Sequence, residues 1–456
     1  MKTENIKYKD SASRAQKCAC TNSAEALPIL ERKFKDSGIP WIGMIPEDWT
    51  SDVIGNLYTI RNEKVSDKDF PPLSVGKMGV VPQLETAAKT DDGDNRKLVR
   101  VGDFAINSRS DRRGSCGISD YDGSVSLINT ILTPRGEMNP KYFNWFFHTE
   151  RFADEFYKWG HGIVDDLWTT RWQEMKRITI SVPPLPTQQR IADFLDKKCA
   201  EIDELAALQE TMIAELKRYK QSVITEAVTK GLDKNVKFKD SGVEWIGEIP
   251  EGWEVTRFYK VNNIRGRLGW KGLKAEEYQE SGYPFLSAFN INNDKLDWSD
   301  LNFINKDRYD ESPEIKLSVG DVLIVKDGAG IGKCARVSEL PYGESTVNSS
   351  IAVITPPSFL DYGYLYYYIL SNPFQRVIWF LKIGMGVPHL TQENMRNIKM
   401  PFPPLTEQQA IADYLDEKCS EIDELIAIKQ QKIEQLKEYK KSVIFEYVTG
   451  KKEVEE

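Results

Sequence analysis

The stretch that decides the fold occurs twice in this chain. PPLPTQQRIADFLDKKCAEIDELAALQETMIAELKRYKQSVITEAVTK spans residues 183–230, and PPLTEQQAIADYLDEKCSEIDELIAIKQQKIEQLKEYKKSVIFEYVTG spans residues 403–450. The two segments are identical at 29 of 48 positions, which indicates an internal duplication. After its opening prolines each copy runs for about forty residues without Gly or Pro, enough for a helix roughly 60 Å long.

Apolar residues recur along both segments at heptad spacing, which predicts that the two helices pair as an antiparallel coiled coil. A helix of this length has no local surface on which to bury an apolar stripe, whereas two copies can cover each other. Gln209, Lys429 and Lys432 interrupt the stripe. The predicted pairing residues are Leu195, Ile202, Leu205, Met212, Leu216, Tyr219 and Val223, with Leu415, Ile422, Leu425, Leu436, Tyr439 and Val443. A coiled coil that merely separates two domains is the alternative.

The start of each helix follows a Pro-Pro-Leu sequence. Thr406 and Gln409 have the spacing of a capping box, so Thr406 is the predicted N-cap of the second helix. Pro186 replaces this threonine in the first copy, where a proline in the first helical turn is tolerated.

A second repeated phrase precedes each variable region. FKDSGIPWIGMIPEDW (34–49) and FKDSGVEWIGEIPEGW (238–253) are identical at twelve of sixteen positions. The chain therefore reads as opening phrase, variable region and helix, stated twice. The predicted division is a tail (1–30), a first domain (31–182), a central helix (183–231), a second domain (232–402), a distal helix (403–450) and a short tail (451–456). The predicted fold is α+β, with two similar domains alternating with two long helices and an internal pseudo-two-fold.

The variable regions share a skeleton with each other. VGDFAINS (101–108) parallels VGDVLIVK (319–326), and each reads as a turn followed by a strand. An aromatic helical stretch follows in both, where the spacing of Trp145, Phe146, Tyr364 and Tyr368 predicts core residues rather than a base-stacking platform. One scaffold with different loops is typical of a changed recognition surface.

Composition limits the classes of protein. The net charge of −8 argues against a general polyanion binder, no segment is long and apolar enough to span a membrane, and no signal peptide precedes the first domain. A cytoplasmic protein is expected. Six cysteines in 456 residues are too few for a disulfide framework, so we interpret them as buried thiols.

No catalytic motif stands out. KDGAGIGKC (326–334) lacks the first glycine and the hydroxyl residue of a phosphate loop, so a glycine turn between two strands is the better interpretation. The histidines His148, His161 and His389 have no ligand spacing, and no metal site is predicted. An acidic nuclease centre, for example Asp297 and Glu314 near Lys316, stays open as an alternative.

Basic residues concentrate in loops of both variable regions. Arginine can contact guanine or phosphate bidentately, and lysine can contact phosphate. The alternatives are a solvated basic loop in the second region and internal pairing of the arginines with Asp111 in the first. The DNA-binding candidates are Arg96, Lys97, Arg100, Arg109, Arg112, Arg113, Arg265, Arg267, Trp270, Lys271, Lys274, Lys326 and Lys333. A glycine loop before each helical segment, GHGIVDDLW (160–168) and GMGVPHLT (384–391), either contacts DNA or shapes the junction with the helix.

Together and in this order, the motifs resemble the specificity subunit of type I restriction–modification systems. The resemblance extends from about residue 30 to residue 450 and rests on the two opening phrases, the PPLPTQQRIADFLD and PPLTEQQAIADYLD helix starts, the EIDEL continuations and the GMGVPHLT loop. His161, Asp165 and Asp166 depart from the more usual glycine loop in the first domain.

The resemblance implies a subunit without catalysis of its own. Each target-recognition domain would read one half of a bipartite duplex DNA site, while the helices set the spacing and dock two adenine-methyltransferase subunits. S-adenosylmethionine, ATP and Mg²⁺ would then be cofactors of the modification and restriction/translocase partners, with none in this chain. A DNA-binding scaffold that works without a methyltransferase is the runner-up.

Overall fold

The computed structural model describes residues 32–83, 93–162, 168–267, 273, 275–328, 330–383 and 389–454. The chain divides into two compact units. The first comprises Met1–Lys198 and Lys441–Glu456, and the second comprises Cys199–Lys440.

The first unit contains the strands of the first domain and four short helices. Its strands are β1 (Phe34–Asp36), β2 (Met44–Pro46), β3 (Thr50–Val53), β4 (Tyr58–Arg61), β5 (Lys64–Val65), β6 (Leu73–Gly76), β7 (Gly79–Pro82), β8 (Arg96–Val99), β9 (Phe104–Asn107), β10 (Cys116–Ile118), β11 (Gly123–Val125), β12 (Asn129–Pro134) and β13 (Thr179–Val182). Its helices are α1 (Ile54–Leu57), α2 (Pro140–Phe147), α3 (Glu150–Lys158) and α4 (Trp172–Met175), and the long helix α5 (Leu185–Lys230) begins in this unit.

The second unit repeats this order with different loops. Its strands are β14 (Phe238–Asp240), β15 (Glu248–Pro250), β16 (Glu254–Arg257), β17 (Asn263–Arg265), β18 (Tyr283–Leu286), β19 (Ile291–Asn292), β20 (Lys295–Leu296), β21 (Asn302–Ile304), β22 (Val322–Val325), β23 (Cys334–Arg336), β24 (Thr346–Val347), β25 (Ile351–Thr355) and β26 (Lys399–Phe402). Its helices are α6 (Phe258–Val261), α7 (Lys306–Asp310), α8 (Tyr362–Leu370), α9 (Asn372–Ile383), α10 (Gln392–Arg396) and most of the long helix α11 (Leu405–Val448).

A four-stranded antiparallel sheet forms the centre of each domain. Its strand order is β10-β9-β12-β4 in the first unit and β23-β22-β25-β17 in the second. The register is also the same, since Ala105 faces Ile131 in one sheet and Leu323 faces Val353 at the equivalent place in the other. The first and last strands of each variable region pair as well, β3 with β13 and β16 with β26. The prediction of one α+β scaffold stated twice is confirmed.

An aromatic helix packs each sheet onto the end of a long helix. Phe146, Tyr364 and Tyr368 are fully buried, as predicted for core residues. The Tyr142 hydroxyl donates to the Val448 carbonyl in the first unit (2.7 Å), and the Tyr364 hydroxyl donates to the Val228 carbonyl in the second (3.2 Å). Because a buried hydroxyl needs a partner, these bonds help to fix where each helix ends against its sheet.

The start of each long helix is held by a buried glutamine. Gln188 Nε2 donates to the Pro183 carbonyl (2.9 Å) and Gln408 Nε2 to the Pro403 carbonyl (2.8 Å), while each Oε1 accepts a backbone N–H of the preceding domain. The predicted capping box at Thr406 is wrong, because α11 begins at Leu405 and its first N–H groups donate to the Pro404 carbonyl. The Pro-Pro-Leu sequence and the glutamine therefore replace a side-chain cap.

The long helices pair antiparallel within the second unit. Lys220 Nζ lies 2.7 Å from Asp423 Oδ1, and Lys440 Nζ lies 2.7 Å from Asp203 Oδ2, so the duplicated sequence makes the same ion pair twice. Lys429 Nζ donates to Gln209 Oε1 (3.3 Å) between these two pairs. The polar residues that interrupt the stripe thus lie in the interface, where a polar layer helps to set register.

The predicted heptad phase is only partly correct. Leu195, Ile202, Leu415, Ile422 and Leu436 are buried, and Leu216 is half-buried. The inward positions of α5 run Ile202, Ala206, Gln209, Ile213, Leu216, Lys220 and Val223, so the phase includes polar residues. Five predicted pairing residues are wrong because they lie outside this phase and are 39–52% exposed: Leu205, Met212, Tyr219, Leu425 and Tyr439.

Each opening phrase packs its second tryptophan beneath a glycine turn at a helix end. Gly231 (φ +73°) follows α5 and lies against Trp253, and Gly450 (φ +72°) follows α11 and lies against Trp49. The Trp253 Nε1–H donates to Glu407 Oε2 (2.9 Å). Thr187 stands at the equivalent helical position in the first copy, and the buried Trp49 Nε1–H has no hydrogen-bond partner among the described residues.

The described cysteines are buried thiols, as predicted: Cys116, Cys199, Cys334 and Cys419. Within the described ranges, none of the helices combines the length and the apolar character that a membrane span requires.

Candidate nucleic-acid interface

The loop that leaves the central strand lies at the same place in both domains. It spans residues 108–115 between β9 and β10 in the first domain, and residues 326–333 between β22 and β23 in the second. KDGAGIGKC therefore turns between two antiparallel strands, as predicted, with Gly328 and Gly332 at positive φ. We call these two segments the strand-end loops.

A return segment, which leads into α4 or α10, crosses each strand-end loop. The Thr170 N–H donates to the Ser108 carbonyl (2.9 Å), and the Leu390 N–H donates to the Lys326 carbonyl (2.8 Å). Isolated bridges join Arg109 to Thr169 and Asp327 to His389. Both domains share these backbone contacts, whereas the side chains at the contacts differ.

Exposed arginines occupy the first strand-end loop. The side chains of Arg112 and Arg113 are 67% and 53% exposed, with Asp111 and Asp154 as their ion-pair partners. Arg109 is half-buried, and in the described part of the chain its guanidinium has no hydrogen bond or ion pair. Because exposed ion pairs contribute little stability, these cations remain available to a polyanion.

Other predicted contacts in the first domain are held by the fold. Arg96 is buried and donates to the Ser124 hydroxyl (2.9 Å) and carbonyl (3.0 Å), so its assignment to DNA is wrong. Lys97 Nζ donates to the Asn129 carbonyl (2.6 Å), and burial lowers the pKa of this lysine. Arg100 is half-exposed, pairs with Asp122 (2.7 Å) and lies over the ring of Phe70.

Arg265, another predicted DNA contact, belongs to a buried Arg–Asp–Thr cluster. Arg265 Nη2 lies 2.8 Å from the buried carboxylate of Asp321, which also accepts from the Thr355 hydroxyl. The first sheet has the same cluster, in Arg61, Asp103 and Thr133. The hydrogen bond that Arg61 donates to Asp103 raises the pKa of Arg61. The repeated VGD and Thr-Pro sequences are the signal for this cluster.

The predicted DNA contact at Arg265 is therefore wrong, since this guanidinium links strands of the sheet. Arg267 is also wrong as an open contact, because its side chain is only 6% exposed and lies 3.9 Å from Glu311. Trp270, Lys271 and Lys274 lie outside the described residues.

The second strand-end loop presents fewer free cations. Lys326 Nζ lies 2.8 Å from Asp327 Oδ2, and Lys333 Nζ is 3.5 Å from the Ile291 carbonyl. His389 Nδ1 bonds to the other oxygen of Asp327, and the His389 side chain is 47% exposed. The sequence analysis named the GMGVPHLT loop as a possible DNA contact but did not single out His389 within it.

The acidic residues of the nuclease alternative are engaged separately. Asp297 accepts from the Ser299 N–H (2.9 Å) and hydroxyl (2.6 Å), which lowers the pKa of Asp297. The backbone carbonyl of Glu314 accepts a hydrogen bond from Arg265 (3.0 Å). Among the residues that the structure describes, there is no group of three or more His, Cys, Asp or Glu side chains that could hold a metal ion.

A second surface lies on the paired helices. Apolar side chains that lie outside the heptad phase occur at equivalent positions of the two helices, and each is 47–61% exposed. They are Leu205, Leu208 and Tyr219 on α5 and Leu425, Ile428 and Tyr439 on α11. We call them the outer stripe, and a repeated exposed apolar stripe is typical of a protein-binding surface.

Comparison with known proteins identifies the family. The profile described as "Type I restriction modification DNA specificity domain" matches residues 46–218 and 250–438. The MjaVIII specificity subunit of Methanocaldococcus jannaschii is 30% identical over 424 residues, which cover 89% of this chain and 93% of that protein. The EcoKI specificity subunit of Escherichia coli K12 is 29% identical over 209 residues, 45% of this chain and 44% of that protein.

Solved structures agree on the fold. A chain from a study of complex assembly and conformational transition in a type I R-M system has a TM-score of 0.68 at 16% identity, covering 89% of this chain and 98% of that one. The HsdS subunit from Thermoanaerobacter tengcongensis has a TM-score of 0.51 at 17% identity, with the same coverage. With the family profile matching both halves, this chain belongs to the family of type I restriction–modification specificity subunits.

Proposed function

We propose that this chain is the non-catalytic, cytoplasmic specificity subunit of a type I restriction–modification complex. Each domain reads one half of a bipartite duplex DNA site, and the paired helices set the spacing between the halves. The names of its relatives support this role.

The observation that carries the proposal is one scaffold with two different strand-end loops. The central sheet, the Arg–Asp–Thr cluster and the return segment repeat residue by residue. The loops between them do not, since Arg109 stands where the second domain has Asp327. A duplicated frame with unlike loops suits a protein that reads two unlike sequences in one manner.

The outer stripe is the proposed docking surface for two adenine-methyltransferase subunits. Its residues occur twice, so two identical partners could each meet one set. We propose that S-adenosylmethionine binds to these partners, and that ATP and Mg²⁺ serve restriction/translocase subunits. A nuclease is the weaker candidate, because the Asp297 carboxylate already accepts two hydrogen bonds from Ser299.

Methylation sequencing tests the proposed reading of DNA. The chain is expressed with the modification subunit encoded beside it, and residues 254–402 are replaced by the equivalent domain of another specificity subunit. We expect a two-part methylated motif in which one half changes and the other is retained. An assembled complex that methylates no bipartite motif would contradict the proposal, as would DNA cleavage by the purified chain alone.

Co-purification tests the docking surface separately. The Leu208→Glu and Ile428→Glu double variant places a charge in each copy of the outer stripe, and we expect it to lose the methyltransferase while the chain stays folded. Glu210→Lys is the matched control, because Glu210 is exposed on the opposite flank of α5. Retention of the partner by the double variant would exclude this surface.

A further inference from the structure

The two strand-end loops present their outward donors from opposite sides of the same bridge. In the first domain Arg109 lies on the loop and faces Thr169 on the return segment. In the second domain the loop has Asp327, and the donor group, His389, lies on the return segment. The backbone hydrogen bonds at Ser108 and Lys326 are equivalent, so this exchange of sides is a change of side chains within one frame.

Asp327 has both carboxylate oxygens engaged. Oδ1 bonds to His389 Nδ1, and Oδ2 lies 2.8 Å from Lys326 Nζ. An ionised carboxylate only accepts hydrogen bonds, so Nδ1 of His389 carries the proton. This leaves Nε2, on the far side of the ring, as the atom available outside the loop. Lys326 is only 15% exposed and lies behind the carboxylate, so His389 is the more accessible of the two cations.

We propose that His389 is a DNA-contacting residue of the second domain and that Asp327 is its positioning residue. The imidazolium Nε2–H donates to an acceptor on the DNA, which is either a phosphate oxygen or the N7/O6 edge of guanine. This inference rests on the proposed DNA-reading function. It assigns to His389 the DNA-contacting role that Arg109 is predicted to have in the first domain.

The test uses the assembled complex of this chain with its methyltransferase subunits, on duplexes carrying the methylated site or a substitution in one half. We expect His389→Gln to weaken binding of the second half-site about tenfold, as for a lost contact of about 1.4 kcal/mol, and to leave binding of the first half-site unchanged. Asp327→Asn should reproduce the change in salt dependence or base selection that His389→Gln causes at the second half-site, which a purely structural role would not do. His148→Gln is the matched control, because the His148 ring bonds to the Asn144 carbonyl of the preceding helix.

The outcomes distinguish a phosphate from a guanine acceptor, and the role of His389 from the proposed function. If His389 contacts a phosphate, His389→Gln lowers the salt dependence of binding by about one charge for every sequence. If His389 contacts guanine, the substitution relaxes selection at one base pair of the second half-site. Wild-type affinity, salt dependence and base selection in a folded, assembled His389→Gln complex would overturn the inference. A complex that methylates a bipartite site yet shows this result refutes the role of His389 alone, whereas a complex without any bipartite site refutes the proposed function.

Discussion

The unequal partners of two equivalent tryptophans predict opposite effects of two substitutions. Trp253 donates to Glu407 at 2.9 Å, whereas the buried Trp49 Nε1–H lacks a hydrogen-bond partner among the described residues, where Thr187 replaces the glutamate. We expect Thr187→Glu to stabilise the first unit and Glu407→Thr to destabilise the second. Both positions are half-buried, so the introduced carboxylate enters a comparable environment.

The magnitudes follow from the hydrogen bond and its cost. A hydrogen bond to a charged group contributes about 1.5–3 kcal/mol, and leaving a buried donor unpaired costs about 1–3 kcal/mol. Glu407→Thr should therefore lower the free energy of unfolding by about 2 kcal/mol. Ordering the new glutamate side chain in Thr187→Glu costs about 1 kcal/mol, so its net gain should be about 1 kcal/mol. A carboxylate in the first helical turn also interacts favourably with the helix dipole.

Calorimetry and hydrogen exchange of the full chain can measure both effects. A change of 1 kcal/mol shifts the midpoint of a unit this size by about 2–4 °C. Exchange of the Trp49 indole N–H should slow in Thr187→Glu, and that of Trp253 should quicken in Glu407→Thr. Glu407→Gln, which keeps an acceptor, should lie between wild type and Glu407→Thr. An unchanged Trp253 exchange rate in Glu407→Thr, or a faster Trp49 rate in Thr187→Glu, would refute the reasoning.

Three further predictions concern the sheet, the helices and the thiols. Asp321→Ala should lower the free energy of unfolding by about 3–5 kcal/mol, measured by thermal unfolding, because it leaves Arg265 without its buried partner. Asp122→Ala breaks an exposed ion pair and should lower it by less than about 1 kcal/mol. Equal losses of stability in the two variants would contradict the buried-cluster assignment. The Gln209→Leu and Lys429→Leu double variant should raise the melting temperature of the helix pair, and a lower one would show that the polar layer stabilises it. Burial raises the pKa of the Cys116 thiol to about 12 and that of the Cys419 thiol to about 11. Both thiols should therefore resist alkylation near pH 8 until the chain is unfolded. Labelling of either cysteine in the native protein, detected by peptide mass spectrometry, would contradict its burial. Because unfolded thiols ionise near pH 8.5, these two groups should also make the fold less stable as pH rises above that value.

The duplication made much of the fold predictable from sequence. Two copies of VGD and of the Pro-Pro-Leu helix start reveal one scaffold without any knowledge of coordinates. The phase of the helices was harder, because Gln209 and Lys220 face inward while Leu205 and Tyr219 face outward. Hydrophobicity alone places these residues the other way round, since it does not record an ion pair such as that of Lys220 with Asp423.

The candidate interface was less predictable because a charged residue has the same letter in a core and in a loop. Arg265 follows a strand and finds the buried Asp321, whereas Arg112 lies in a turn and stays exposed. The distinction depends on a partner more than fifty residues away. His389 was hidden for the same reason, since its pairing with Asp327 joins segments that are distant in sequence.

The pairing of the first and last strands of each variable region has a consequence for how such genes change. Because β3 lies beside β13 and β16 beside β26, the polypeptide enters and leaves each variable region at adjacent points. Repeated coding sequence flanks both points, so crossovers within it would exchange the entire intervening segment together with its paired strands. The exchanged segment must also keep the contacts with the long helices, such as those of Tyr142 with Val448 and of Tyr364 with Val228. A lineage could acquire a new DNA target in one recombination event, without passing through unfolded intermediates.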